Sequence, residues 1–329
     1  MSAIDARGLE REFKGGLKAV DGIDLEVAEG ECYGFLGPNG AGKTTTVRML
    51  VTLLRPTGGV AHVAGHDVAR EPAAVRRLIG VALQEAALDP LMTGHELMVL
   101  QGKLHGMATA AAEERGMALI ERVGLASAAE RRIGTYSGGM RRRLDLAMAL
   151  VHDPPVLFLD EPTTGLDPVS RLTLWEEVAR LKDEGTTVFL TTQYLEEADR
   201  LADRVGIISD GRIVAEGTPG ALKAQVGSPH LEIALADGAD PRAAEAVLAR
   251  FGALMPCGRD RDLAVRLAEG ASGVAPVVRA LDDGGFEVAS LELVHPTLDD
   301  VFVEKTGRRL EGAGEQAAGA SAEPSPEPA

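Results

Sequence analysis

Cysteine is almost missing from this sequence of 329 residues, which has only Cys32 and Cys257. Two cysteines cannot build a disulfide framework or a cysteine-based zinc site. Also missing is any run of about 18 uninterrupted apolar residues, which excludes a membrane-spanning helix. Basic residues are in deficit: 34 Lys plus Arg stand against 50 Asp plus Glu, a formal charge of −16. That balance argues against a nucleic-acid coat or an anionic-lipid binder, which would need a basic surface. The opening residues Asp5, Arg7, Glu10, Arg11 and Glu12 are too charged for a signal peptide. What remains is an ordinary globular mix, 45% hydrophobic and 26% charged, at a length that suggests two domains. The expectation is an acidic, soluble, intracellular protein.

The pattern over residues 1–226 is α/β. An apolar run at Cys32–Leu36 stops at a glycine-rich turn, and Thr44–Leu54 after it reads as a helix. Val156–Leu159 and Thr187–Thr192 read as buried strands, with a helix over Ser170–Asp183 between them. Asp210-Gly211 between Ile207–Ser209 and Arg212–Glu216 signals a hairpin. Helical spacing over Glu96–Leu104, Ala110–Val123 and Met140–Leu150 places an α-helical lobe on a parallel-sheet core. Gly227, Ser228 and Pro229 mark a linker. Beyond it, residues 229–305 read as strand 231–236, helix 241–251, strands 253–257 and 263–267, helix 273–282 and strand 286–293. That order, βαββαβ, predicts a small ferredoxin-like α+β sandwich. Residues 230–303 carry 13 acids against 6 bases. The tail over 306–329, whose last twenty residues have four glutamates and no base, reads as disordered.

Residues Gly37-Pro38-Asn39-Gly40-Ala41-Gly42-Lys43-Thr44 fit GxxxxGK[ST] between a predicted strand and helix. Glycines let backbone N–H groups approach phosphate oxygens, and the helix start adds the positive end of its dipole. Lys43 suits the β- and γ-phosphates, the Thr44 hydroxyl suits Mg²⁺, and Thr45 completes the cradle. The alternative, a glycine-rich surface turn, is weak in this context, so binding of a nucleoside triphosphate is predicted. Asp160 ends the strand Val156–Leu159, where an acid beside a buried run is expensive unless it has a task. At the carboxyl edge of a parallel sheet it suits Mg²⁺, and Glu161 after it suits polarising a water. Taken alone, such a pair could equally be a loop acid or a helix cap.

Five ordered motifs across residues 4–226 then resemble the ATP-binding cassette (ABC) ATPases, P-loop NTPases with an α-helical lobe. Tyr136-Ser137-Gly138-Gly139-Met140, followed by Arg141-Arg142-Arg143, resembles the family's signature segment. Asp160-Glu161-Pro162-Thr163-Thr164-Gly165-Leu166-Asp167-Pro168 resembles its metal-strand and dimer-contact loops. Gln84 matches the glutamine joining core to lobe, and Phe13 sits where the family stacks adenine. The resemblance implies ATP and Mg²⁺ as ligands, with Thr44, Gln84 and Asp160 arranging the metal and Glu161 as base. It further implies a head-to-tail homodimer in which Ser137, Gly138 and Gly139 close the nucleotide site of a second copy and Asp167 couples the two sites. Three consecutive arginines point about 100° apart on a helix, so they do not make one basic patch. Pairing with acids such as Asp145, or service at an interface, is expected instead.

One departure stands out. The family usually has a histidine after the strand Thr187–Thr192, whereas this chain has Gln193. An amide can still donate a hydrogen bond, but it does not titrate near neutral pH. Together with Thr297-Leu298-Asp299-Asp300-Val301-Phe302, the chain is similar to the daunorubicin-resistance type of exporter ATPase. That resemblance implies a peripheral subunit on the cytoplasmic face of the cell membrane, working with a separate polytopic permease in two copies or halves. The permease would make the main contacts with a drug, antibiotic or lipid-like cargo, and no nucleic acid would be involved. The alternatives are a soluble ABC ATPase of DNA repair or translation, disfavoured by a single signature and two cysteines, and a nucleotide-gated regulator with negligible turnover. Trp175 and Cys32 are expected to be packed, and His62 with His66 lacks a third metal ligand.

Overall fold

Alternation rather than continuous apolar runs builds the start of the chain. β1 (Ser2–Phe13) pairs antiparallel with β2 (Leu17–Ala28), in which Ile23, Leu25 and Val27 are buried while Asp24 and Glu26 face outward. The sequence reading assigns no strand here. β3 (Cys32–Leu36) and α1 (Lys43–Leu50) follow, then β4 (Gly58–Val63) returns to the free side of β1 and carries the short β5 (His66–Asp67). Helix α1 is shorter than predicted because Thr52 takes a left-handed φ of 67°. Leu53 and Leu54 both turn their N–H groups back to Arg48 O. Further along the chain come α2 (Pro72–Leu78), β6 (Ile79–Ala82), α3 (Gly94–Leu104), α4 (Thr109–Arg122), α5 (Gly138–Ala149), β7 (Val156–Asp160), α6 (Pro168–Asp183), β8 (Thr187–Thr192), α7 (Leu195–Leu201), β9 (Arg204–Ser209) and β10 (Arg212–Gly217). The computed structural model describes residues 2–84, 88–227, 229–236, 239–255, 262–267 and 270–308.

Six strands form the central sheet in the order β10-β9-β3-β8-β7-β6. All run parallel except β10, the hairpin partner of β9. The sheet is covered on both faces, which is why its strands read as continuous apolar runs. Along β7, Val156 and Phe158 pack toward α1 and the β1 sheet, while Leu157 and Leu159 pack toward the helical lobe. Phe189 stands at the centre of the first face, with Phe35, Phe158 and Tyr33 at 5.5, 5.6 and 5.7 Å between ring centroids. Trp175 and Cys32 are buried as expected, and burial pushes the Cys32 thiol up to about 12.

The described residues divide into two compact units: residues up to Pro219 together with those from Lys305 onward, and Gly220–Glu304. The second contains most of α8 (Pro219–Val226), then β11 (His230–Leu235), α9 (Pro241–Leu248), β12 (Gly252–Met255), β13 (Asp262–Leu267), α10 (Val274–Asp283), β14 (Val288–Val294) and most of α11 (Leu298–Thr306). Its antiparallel sheet runs β12-β13-β11-β14 with α9 and α10 packed on it, the ferredoxin-like order expected from βαββαβ. Leu231, Ile233, Val265, Leu248, Val277 and Leu281 fill its core. Ser228, Cys257 and the tail beyond 308 lie outside the described residues.

Candidate functional site

The carboxyl ends of β3, β8 and β7 lie side by side, and a register row joins Phe35, Thr191 and Asp160. The chain leaves β3 through the glycine-rich loop. A Cβ on Gly37 would stand 2.4 Å from Ile208 O, and one on Gly42, at φ 109°, would stand 2.4 Å from Ala19 O. Glycine is required at both because the loop presses against backbone. From behind, Gly211 N–H donates to Ala41 O at 3.0 Å, and Asp21 N–H donates to Gly211 O at 2.9 Å. The hairpin of β9 and β10 therefore braces the loop, and α1 begins directly at Lys43.

Lys43 is almost fully buried. Its ammonium donates to Gly37 O at 2.7 Å and Pro38 O at 3.0 Å, and pairs with Glu161 Oε1 at 3.2 Å. Burial holds its pKa below the ordinary lysine value, while Glu161 and Asp160 push it back up. Asp160 Oδ1 accepts from Thr44 Oγ1 at 3.2 Å and from Thr191 Oγ1 at 2.5 Å. Its Oδ2 is buried with no protein partner among the described residues. Glu161 takes a left-handed φ of 48°, a conformation that costs a non-glycine residue about 1–3 kcal/mol. Two hydrogen bonds from its N–H, to Thr191 O and Thr191 Oγ1, both 3.1 Å, hold it there. Strain of this kind concentrates where geometry has a task.

These groups meet at a cleft of about 220 Å³ lined by Ala19, Pro38, Asn39, Gly40, Gly42, Lys43, Thr44, Thr45, Gln84 and Glu161. Gly37, Ala41 and Asp160 lie buried around it. The other predicted residues do not line this cleft. Ser137 caps α5, its hydroxyl accepting from Met140 N–H at 3.2 Å, and exposed Gly138 faces open space. Gly139 packs so closely on α6 that a Cβ would stand 2.4 Å from Ser170 Oγ. Asp167 caps α6, accepting from Ser170 N–H at 2.9 Å and Ser170 Oγ at 2.6 Å. The signature segment and Asp167 thus form one surface, apart from the chain's own cleft. Phe13 ends β1 with the Arg11 guanidinium 4.8 Å above its ring, and Gln193 is half-buried between β8 and α7.

Sequence reasoning missed Thr191, the bridge between Asp160 and Glu161. No motif signalled it, because only strand register places it there. It also missed Glu197, which is fully buried and accepts from Trp175 Nε1–H at 3.1 Å. Burial raises the Glu197 pKa above the usual carboxyl value. The three arginines diverge as expected: Arg141 reaches Gly134 O, Arg143 reaches Val123 O, and Arg142 turns inward to pair with Asp145 at 3.3 Å. His66 pairs with Glu71, and no metal-ligating cluster of three or more occurs among the described residues. A second groove of about 370 Å³ runs between core and lobe, lined by Leu53, Val81, Leu83 and Met148 with the stacked imidazoles of His105 and His152, 3.8 Å apart. Leu83 lines this groove and the next residue, Gln84, lines the cleft.

The profile of the ABC transporter family matches residues 20–164. A daunorubicin/doxorubicin resistance ATP-binding protein of Streptomyces peucetius is 50% identical over 309 residues, 93% of this chain and 92% of that protein. A Nod factor export ATP-binding protein I of Burkholderia lata is 44% identical over 234 residues, 71% of this chain and 77% of that protein. Among solved structures, the dimeric ATP-binding cassette MJ0796 with ADP and Pi superposes with a TM-score of 0.61 at 25% identity. That match covers 65% of this chain and 98% of that one.

Proposed function

The chain belongs to the ABC transporter ATPases, and from that premise we propose that it is the ATP-hydrolysing subunit of an exporter whose cargo is an antibiotic-like or lipid-like small molecule. The observation carrying this reading is the cleft that joins the Lys43 cradle to Asp160 and Glu161, with Ser137–Gly139 set outside it. The relatives' names extend from daunorubicin/doxorubicin resistance to Nod factor export, which supports export as the activity and leaves the cargo to the partner.

The donor set around Asp160 fits Mg²⁺. Asp160 Oδ2 is a buried oxygen without a partner, Thr44 Oγ1 is hydrogen-bonded to the same carboxylate, and Gln84 lines the same cleft. Thr44, Gln84 and Asp160 would hold the ion, which when bound supplies charge neutralisation at the phosphates. Lys43 and the N–H groups opening α1 bind the phosphate oxygens. Glu161, held in its strained turn by Thr191, orients and deprotonates a water for in-line attack. Phe13 stacks the adenine. Ser137–Gly139 close the site of a second copy, since one chain supplies only one such surface and does not bring it to its own cleft.

Residues 1–226 carry this chemistry, 229–305 form an accessory domain, and 306–329 a solubilising tail. The chain works peripherally on the cytoplasmic face of the cell membrane. Among the described residues no helix is long and apolar enough to cross a membrane, so the spans would come from a permease. The groove beside Leu83 is where such a partner would sense Gln84. The test is Mg²⁺-dependent phosphate release from ATP by the full chain, alone and with membranes carrying a candidate permease from the same source. Stimulated release supports the reading. Tight ATP binding with no release in either condition overturns it in favour of a nucleotide-gated regulator.

A further inference from the structure

Arg142 alone of its run is buried, and it spends its guanidinium on main chain. Nε donates to Pro162 O at 2.9 Å, and one terminal nitrogen donates to Asp160 O at 2.8 Å. The other donates to Leu83 O and to Asp145 Oδ2, the latter at 3.3 Å. The place of these acceptors is informative. The ladder between β6 and β7 ends at the pair Ala82 and Leu159. One residue beyond it, the chain departs for Gln84 on one side and for Glu161 on the other. Arg142 clasps the two strands at that point, donating to one carbonyl on each and to Pro162 O just past Glu161. Its planar, rigid fork spreads its donors over acceptors on both strands, a geometry that the compact ammonium of a lysine does not reproduce. The clasp is anchored on α5, five residues after Ser137 and three after Gly139. The helix that begins with the signature segment is thereby tied to both backbone stretches that present the hydrolytic groups.

We propose that Arg142 is a positioning residue for ATP hydrolysis, fixing the main chain at Gln84 and at Asp160–Pro162 relative to the Ser137–Gly139 segment. Seating of that segment on a facing nucleotide is then registered in the chain's own cleft. The inference rests on the exporter-ATPase reading above, and its test keeps the two separable.

Arg142→Met keeps the length and apolar stem and removes every donor. Arg142→Lys restores the charge and a fraction of the bonds. In the full-length chain, Arg142→Met is expected to lower kcat by about 10²-fold while KM for ATP moves by less than about threefold. Arg142→Lys recovers part of the loss, with its melting temperature near that of the unaltered chain. Hydrogen exchange adds a readout that needs no turnover. Peptides covering 80–84 and 158–164 should exchange faster together in Arg142→Met, lose the protection that MgATP gives the unaltered chain, and leave the α4 peptide unchanged. Turnover within about threefold of the unaltered chain, with both peptides still protected, overturns the proposal. So does a variant whose kcat and melting temperature fall while its KM rises, with none of these recovered by Lys, since that pattern is lobe packing alone. If the unaltered chain neither binds nor hydrolyses ATP, the exporter reading fails, while paired exchange of the two peptides still reports the clasp. Should Arg142→Met fail to fold, the same split measured on Arg142→Lys decides.

Discussion

The two units of this chain differ most in what they bury. Lys43, Arg142, Asp145, Asp160, Glu161, Glu177 and Glu197 are all buried in the first unit, and among the described residues the second buries no polar or charged side chain. The first sheet is covered on both faces, with an aromatic cluster at its centre. The second packs two helices on a sheet with an aliphatic core. Burying a charge is expensive unless it is paired or put to use. The first unit meets that cost partly on α5, α6 and α7 and partly around the carboxyl ends of β3 and β7, at Lys43, Asp160 and Glu161, where the proposed chemistry lies. The second keeps its described charged residues half-buried or exposed and fills its core with aliphatic side chains.

The most severe challenge to this contrast is Glu161→Gln. Turnover should fall by at least about 10²-fold, the lower bound for losing a general base, with ATP affinity held within about threefold. Phosphate release and nucleotide titration read the two effects, and turnover at the original rate would remove Glu161 as the base. A core deletion probes the other unit. Ile233→Ala should cost the second unit about 2–4 kcal/mol, seen in denaturant unfolding, and leave ATP affinity unchanged. A tenfold weaker affinity would break the division of labour.

Gln193→His restores the residue usual in the family. Because Gln193 lies off the cleft walls of this chain, ATP binding should persist and kcat should move by less than about tenfold, below the range of a base loss. Loss of binding would place Gln193 in the cradle after all. The smallest effect is at Glu197. Its folded pKa lies above its unfolded value, so the folded chain keeps a proton that the unfolded chain has released. Stability therefore falls as pH rises from the unfolded value through the folded one. Glu197→Gln lacks that penalty, and its melting temperature should exceed the original by about 2–4 °C at neutral pH, a gap that closes toward acid. A gap independent of pH would mean that Glu197 is ionised in the fold.

What could be read in the sequence follows from the range of the forces involved. The phosphate cradle is local: glycine, lysine and threonine at fixed spacing before one helix are sufficient, and Gly37 to Thr44 fold as their chemistry suggests. The buried parallel strands are equally legible, because Val156–Leu159 and Val188–Leu190 are apolar on both faces. The β1–β2–β4 sheet has only alternation to announce it, as in Ile23-Asp24-Leu25-Glu26-Val27, and no motif marks its strands as the glycine-rich loop marks β3. Thr191 and Arg142 were beyond local reasoning. One acts by register across β8, and the other through carbonyls at Leu83, Asp160 and Pro162, where the partner's residue type is immaterial.

The brace behind the cradle has a thermodynamic consequence. Gly37 rests on Ile208, Gly42 on Ala19, and Gly211 donates to Ala41, so the phosphate-facing backbone is fixed by the fold before any nucleotide arrives. The conformational entropy of ordering that loop is lost once, when the chain folds, and not again at each catalytic cycle. ATP therefore meets a rigid wall on one side of the cleft. Any closure has to come from outside that wall.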